Sequence, residues 1–308
     1  MPLPADFLGR ARFYGRAWYW AARPFTLSAS VVPVFVGSAL ALHDGAASAV
    51  RFPLVLLGSL LVQVGTNLVD EYVDHRRTGG RGKLLAPYKV IAGGLLSERA
   101  VRLGALLVFG AAVAIGLALV ALVGWPLLLL CLASLAAAYF YSAGPRPLGA
   151  LALGELTVAV FMGPVMVLGT YYVHTGTLTG AAWLLSLPVA CTVTAILVAN
   201  DLRDLEEDRA AGKVTPIVLL GPGFGRWLWS GLVLAALLAV VALASAQVSA
   251  WWLLVALLAA PVAVRAARAV FTADSRPALG RALALTARFH LWFGALLSAG
   301  LLIAWATG

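Results

Sequence analysis

The chain is expected to fold as an all-α polytopic membrane bundle of about nine transmembrane helices, a single domain over residues 1–308, and three observations predict it. Of its 308 residues, 62% are hydrophobic and only 11% charged, where a water-soluble domain carries about 25%. The apolar residues come in runs of about 20, the length that crosses a bilayer as a helix. Placing the N-terminus inside puts 21 of the 22 Lys and Arg on one side and leaves only Arg51 outside. The expected location is therefore an inner (plasma) membrane, with the N-terminus and the charged loops cytoplasmic and the C-terminus outside. The net charge of +9 follows from the same asymmetry; it faces anionic lipid and needs no nucleic acid to explain it.

Residues 1–23 read as an interfacial segment, because Phe7, Leu8, Phe13, Tyr14, Trp18 and Trp20 interleave with Arg10, Arg12 and Arg16. Such an Arg-rich start argues against a cleavable signal peptide. Arg23-Pro24 then opens the first span, since proline in a first helical turn gives up no intrahelical bond. Spans are placed at 25–42, 52–72, 103–123, 126–143, 152–173, 181–199, 227–246, 251–264 and 290–307. The eighth is short, and extends to Val270 if Arg265 and Arg268 snorkel. Tyr88 to Ser97 is too short and glycine-rich to span and is expected to form a cytoplasmic helical cap over the end of span 2. Gly144-Pro145-Arg146-Pro147 sets a tight turn after span 4. Cys131 and Cys191 lie inside spans as packing residues, and His43, His75, His174 and His290 show no metal-site spacing.

The acidic residues are few enough to be informative. Eight of the thirteen fall in two clusters, each at the inner end of an apolar span. In the first, Asn67, Asp70, Glu71 and Asp74 stand at i, i+3, i+4 and i+7 on one helical face. In the second, Asn200, Asp204 and Asp208 share a face, with Asp201 at its edge. Each cluster leads into a loop with glycine and cations, Arg76, Arg77, Arg81 and Lys83 after the first, Arg209 and Lys213 after the second. A single acidic helix end is commonly just solvated. Two such devices on the same side, four spans apart, fit a polyphosphate held through Mg²⁺, whose hard oxygen shell is shared between carboxylates and phosphate. Ionisable residues at span ends rather than on broken helices at midplane argue against a transporter. Glu155, just inside span 5, requires a polar cavity or a partner, and a cap cation or a substrate both remain open. No nucleophile–base pair is visible.

The motifs Asn67-x-x-Asp70-Glu71-x-x-Asp74 and Asn200-Asp201-x-x-Asp204-x-x-x-Asp208, with Gly212-Lys213-x-Thr215, resemble those of the UbiA superfamily of intramembrane prenyltransferases. The stretches Ala22-Arg23-Pro24-Phe25-Thr26-Leu27, Gly144-Pro145-Arg146-Pro147-Leu148-Gly149, Leu153-Gly154-Glu155-Leu156 and Gly169-Thr170-Tyr171-Tyr172 are similar to those of its menaquinone-pathway branch, the 1,4-dihydroxy-2-naphthoate polyprenyltransferases. The resemblance runs from about Trp20 to Gly221; the last three spans match only in hydropathy. It implies a helical bundle that transfers a polyprenyl group from a prenyl diphosphate to an aromatic acceptor, with Mg²⁺, two ions being expected, between the acidic motifs and the prenyl tail in a cavity open to membrane lipid. Asn67, Asp70, Glu71 and Asp74, facing Asn200, Asp201, Asp204 and Asp208, are the metal ligands it implies. Arg76, Lys83, Arg146, Arg209 and Lys213 are its candidates for diphosphate, with Tyr139 beside that turn, and Arg23 and Lys89 for an acidic acceptor. Where relatives place Asp, this chain has Glu71, which leaves Asp70 or Glu71 as the ligand. The expected acceptor is 1,4-dihydroxy-2-naphthoate; 4-hydroxybenzoate, or cyclisation of the prenyl chain with no acceptor, are the alternatives.

Overall fold

A computed structural model of the chain describes residues 6–78, 88–246 and 248–307, and among them it contains helices and no strand. The first helix, α1 (Phe7–Ala22), starts at Asp6, whose side chain accepts from Gly9 N–H at 3.0 Å. It stops at Arg23, which has φ of +52° and is the one described non-glycine residue in the left-handed region. A short 3₁₀ turn over Pro24–Thr26 leads into α2 (Ser28–His43), and the chain bends by 55° between the two. The segment expected to be interfacial is thus a helix packed on the side of the bundle. Its Ala17 and Ala21 are buried against Leu68 and Val69, and Arg10, Arg12, Tyr14, Arg16 and Tyr19 point outward.

Next come α3 (Arg51–Thr78), α4 (Glu98–Val123) and α5 (Pro126–Ser142). The cap segment between α3 and α4 forms successive turns rather than the expected helix. Gly94, at φ of +66°, reverses the chain there, and Ser97 then caps α4 by accepting from Ala100 N–H at 3.1 Å. The fifth span is interrupted. It runs as α6 (Gly154–Val160), a π-helical turn over Phe161–Val165, and α7 (Met166–Thr175). Pro164 cannot donate to an α-helical ladder, and Gly163 lies so close to Ala190 of the next span that an added Cβ would overlap it.

Four further helices complete the bundle: α8 (Gly180–Ala210), α9 (Pro216–Ala246), α10 (Ala260–Thr272), which continues a 3₁₀ stretch over Val248–Ala259, and α11 (Arg276–Thr307). Among the described residues seven helices are long and apolar enough to cross a membrane, eight with the bent α1–α2 pair; α5, at 17 residues, is shorter. In position these segments coincide with the spans expected from the sequence, seven or eight of them long enough to cross and α5 the short one. Helices in lipid gain nothing from hiding apolar area from one another, so close contact at small residues and buried polar pairs hold them. Gly294 of α11 lies against Val32 of α2, with no room for a Cβ. His290, fully buried, meets Thr192 Oγ1 at 2.8 Å and the Ser28 carbonyl at 3.2 Å, joining α11, α8 and α2. Trp229 donates to Thr286 Oγ1 at 3.1 Å, adding α9.

Candidate active site

A cavity of about 480 Å³ runs down between α2, α3, α4, α5, the fifth span and α8. Every charged residue of its lining comes from Arg23, the end of α3, the cap, or the end of α8 with the loop after it. Deeper, the wall is built by side chains such as Val62, Ile115, Leu135, Phe161, Met162 and Ile196. The charged mouth exists because α3 and α8 each outrun their apolar stretch by two turns or more, carrying the polar face that begins at Asn67 or Asn200 into the same space.

Within that mouth the carboxylates are matched to cations. On the α3 side, Asp70 Oδ2 lies 2.6 Å from Arg23 Nη2, and its Oδ1 accepts from Ser142 Oγ at 3.0 Å. Asp74 Oδ2 accepts from Lys89 Nζ at 2.7 Å. Asn67 donates to the Ala22 carbonyl and to Thr26 Oγ1, at 2.8 and 2.9 Å, which pins the α1–α2 corner to α3. On the α8 side, Arg203 grips Asp204 through Nε and Nη2, at 2.8 and 2.7 Å, and Nη2 reaches Asn200 Oδ1 at 2.7 Å. Arg276 of α11 approaches Asp204 at 3.4 Å, and Lys213 lies 2.9 Å from Asp208. Tyr88 of the cap joins the two sides. Its hydroxyl accepts from Arg203 at 3.1 Å, while the Arg23 guanidinium lies 4.6 Å from its ring centroid, a cation–π contact. In so buried a setting, removing one partner of such a pair leaves an uncompensated charge, a loss of about 3–5 kcal/mol.

Of the residues nominated from the sequence, Arg23, Asn67, Asp70, Asp74, Lys89, Asn200, Asp201, Asp204, Asp208 and Lys213 line the cavity. Glu71 is turned away from it. Buried behind the cap, it accepts from Ile91 N–H at 3.0 Å and lies 3.4 Å from Lys89 Nζ, so it holds the cap that carries Lys89. Arg76, Tyr139, Arg146 and Arg209 stand outside the lining. Arg76 faces Glu98 at 3.7 Å and Arg209 binds Glu206 at 3.0 Å, both on the outer faces of their helices. Arg209 follows Asp208 directly, and about 100° of helical rotation takes it out of the mouth. Tyr139 is half exposed, edge-on to Phe140, and Arg146 lies exposed in its turn. Lys83 falls outside the described residues. Glu155 meets neither a cap cation nor the cavity, and both of its carboxyl oxygens are buried without a hydrogen-bond partner.

Tyr88, Arg203, Arg77, Tyr141 and Ser142 line the mouth and were not nominated. Arg203 had a readable signal, because it stands three residues after Asn200 inside the acidic run. Arg77 donates to the Gly144 carbonyl at 2.8 Å and ties α3 to the turn after α5, a contact only tertiary folding reveals.

The donor set suits Mg²⁺ by its chemistry, being carboxylate and amide oxygens with no thiolate or imidazole. No three His, Cys, Asp or Glu among the described residues converge tightly enough to hold an ion unaided. Mg²⁺ sites built on one or two carboxylates, completed by water and phosphate oxygens, have this property.

Comparison with known proteins gives a consistent result. The UbiA prenyltransferase family matches residues 30–294. The chain is 31% identical to the 1,4-dihydroxy-2-naphthoate octaprenyltransferase of Bacillus subtilis, over 94% of each chain. Against the Escherichia coli protein described in the same words it is 31% identical over 83% of this chain and 85% of the other. Among solved structures, a UbiA homolog from Aeropyrum pernix superposes with a TM-score of 0.64 at 20% identity, covering 90% of this chain and 97% of that one. One from Archaeoglobus fulgidus bound to DMAPP and Mg²⁺ gives 0.58 at 16%, covering 91% and 99%. At those identities the structures speak to the fold.

Proposed function

The chain belongs to the UbiA prenyltransferase family and is a membrane prenyltransferase, and from that premise we propose that it transfers a polyprenyl group from prenyl diphosphate to 1,4-dihydroxy-2-naphthoate in menaquinone biosynthesis. One observation carries the reading: two carboxylate-bearing helix ends face each other across the mouth of a cavity whose depth is apolar. That is the shape of an amphiphile with a multiply charged head and a hydrocarbon tail. Relatives described as acting on this acceptor, at 31% identity along almost the whole chain, support the choice of acceptor.

Asp70 and Asp74 on one side, and Asn200, Asp204 and Asp208 on the other, are the residues we assign to Mg²⁺, with Asp201 and Asn67 adjoining them. Bound there, Mg²⁺ supplies neutralisation of the diphosphate oxygens. Glu71 serves instead as a support for Lys89. Lys89, Arg203 and Lys213 exchange their present carboxylate partners for diphosphate oxygens, stabilising the negative charge that grows as the allylic C–O bond breaks and diphosphate leaves with the electron pair. The apolar wall beneath keeps water from the allyl cation. The acceptor's electron-rich ring carbon that bears the carboxylate forms the new C–C bond. Loss of CO₂, whose bonding electrons return to the ring, then restores aromaticity. Arg23, on the Tyr88 ring at the mouth, is placed to bind that carboxylate before it leaves.

The test supplies purified protein in nanodiscs with Mg²⁺, a prenyl diphosphate and 1,4-dihydroxy-2-naphthoate. A prenylated, decarboxylated naphthoquinol and CO₂ in equal amount are expected. Prenylation of 4-hydroxybenzoate with its carboxylate retained, or a cyclic hydrocarbon from prenyl diphosphate alone, would overturn the acceptor.

A further inference from the structure

The turn between α10 and α11 lies at the carboxylate end of the bundle, because Arg276, the first residue of α11, reaches Glu207 at 2.7 Å. Some arginines at this end are engaged by the protein. Arg226 donates to the Val270 and Ala273 carbonyls at 3.1 and 3.0 Å, closing the C-terminus of α10, and Arg276 and Arg203 serve the carboxylates. Four on the last two helices are not. Arg265 and Arg268 on α10, and Arg281 and Arg288 on α11, are exposed, and no ion pair or side-chain hydrogen bond engages them among the described residues. The nearby Asp274, exposed in the turn, does not reach them.

Helix register sets the depth of each. At about 1.5 Å per residue, Arg268 and Arg281 each lie about 8 Å from the turn, Arg265 about 12 Å and Arg288 about 18 Å. α10 and α11 pack side by side, so three cations share one level and the fourth lies a turn or two deeper. The headgroup level is marked nearby by the exposed pair Trp227 and Phe271, edge to face at 5.5 Å, as interfacial aromatics are. Arg288 continues as Trp292, also exposed, along the lipid-facing stripe of α11. Guanidinium groups just below the headgroup level snorkel toward it and favour an anionic partner there, and no carboxylate among the described residues engages these four.

We propose that the α10–α11 face is a binding site for an anionic glycerophospholipid, whose phosphate is held by Arg265, Arg281 and Arg288 with Arg268 at the rim. Phosphate oxygens match the planar fork of arginine, and a basic seat between helices at the headgroup level is how proteins select acidic lipids. The occupant is a lipid of the bilayer and not the prenyl diphosphate, whose cations line the cavity on the other side of α8 and α11.

The full-length protein in detergent, given equal phosphatidylglycerol and phosphatidylcholine of the same acyl chains, is to be examined by native mass spectrometry. Retention of phosphatidylglycerol is expected, and binding roughly 100-fold weaker in the triple variant Arg265→Gln, Arg281→Gln, Arg288→Gln, the attraction of three surface arginines. Excess farnesyl diphosphate should leave the bound lipid in place. Equal retention of the two lipids, an undiminished adduct in the triple variant, or displacement by farnesyl diphosphate would each overturn the proposal. If the triple variant cannot be purified, Arg265→Gln and Arg281→Gln singly decide by the same readout.

Discussion

Glu71 and Asp70 are neighbours in sequence with different surroundings, and chemistry separates them. Asp70 opens into the cavity beside Arg23, while Glu71 is buried against Ile91 N–H. We predict that Asp70→Asn lowers turnover by about 10²–10³, as loss of a group that stabilises developing charge does. Asp74→Ala, Asp204→Ala and Asp208→Ala should do at least as much, and EDTA should abolish activity. Glu71→Gln keeps an acceptor for Ile91 N–H and should lower turnover only about tenfold, with its dependence on Mg²⁺ concentration unchanged, since it supports Lys89 and binds no ion. Titration of activity against Mg²⁺ for each variant checks this. A Glu71→Gln enzyme needing far more Mg²⁺ than the parent would return the ligand role to Glu71.

Helices carry the next level, and there the fifth span differs most from what its residues foretold. As a run of apolar side chains, 152–173 reads as one uninterrupted helix, and its position was legible for that reason. The π turn was not, since it depends on how closely Gly163 approaches Ala190 of another helix. The same limit applies at the site. The two acidic faces could be read from spacing, but the cap residue Tyr88, which bridges Arg23 and Arg203, could not, because nothing local says what a turn will cover. Arg76, Arg146 and Arg209 illustrate the converse, cations near the motifs in sequence that helical phase or loop position carries away from the mouth. At this scale we predict that Gly163→Ala destabilises the protein by roughly 1–3 kcal/mol through overpacking. The cavity-lining Phe161 and Met162 would shift with the turn, so turnover should fall as well. Thermal unfolding in detergent and prenyl transfer measured side by side check it, and an unchanged midpoint would show that the π turn and α8 can part without loss.

For the whole molecule, the asymmetry of Lys and Arg predicts an orientation that is open to direct measurement. Cysteines placed at Ala211, beside the carboxylate mouth, and at Leu178, at the opposite end of α8, are both at exposed positions. The first should label only from the cytoplasmic side and the second only from outside; labelling of both from one side would require a different number of crossings. Orientation bears on one more feature, the corner at Arg23. Its left-handed backbone aims the guanidinium at Asp70 and Tyr88 while α1 packs against α3, α4 and the cap, its arginines and tyrosines turned outward. Backbone and side chain move together, so any force that lifts α1 also withdraws Arg23 from Asp70 and Tyr88. Activity per folded molecule should therefore be higher in nanodiscs than in detergent, and the gap should close when Arg10, Arg12 and Arg16 are neutralised. On that prediction the corner works as a dead-man's handle, held down while the enzyme is seated in its bilayer.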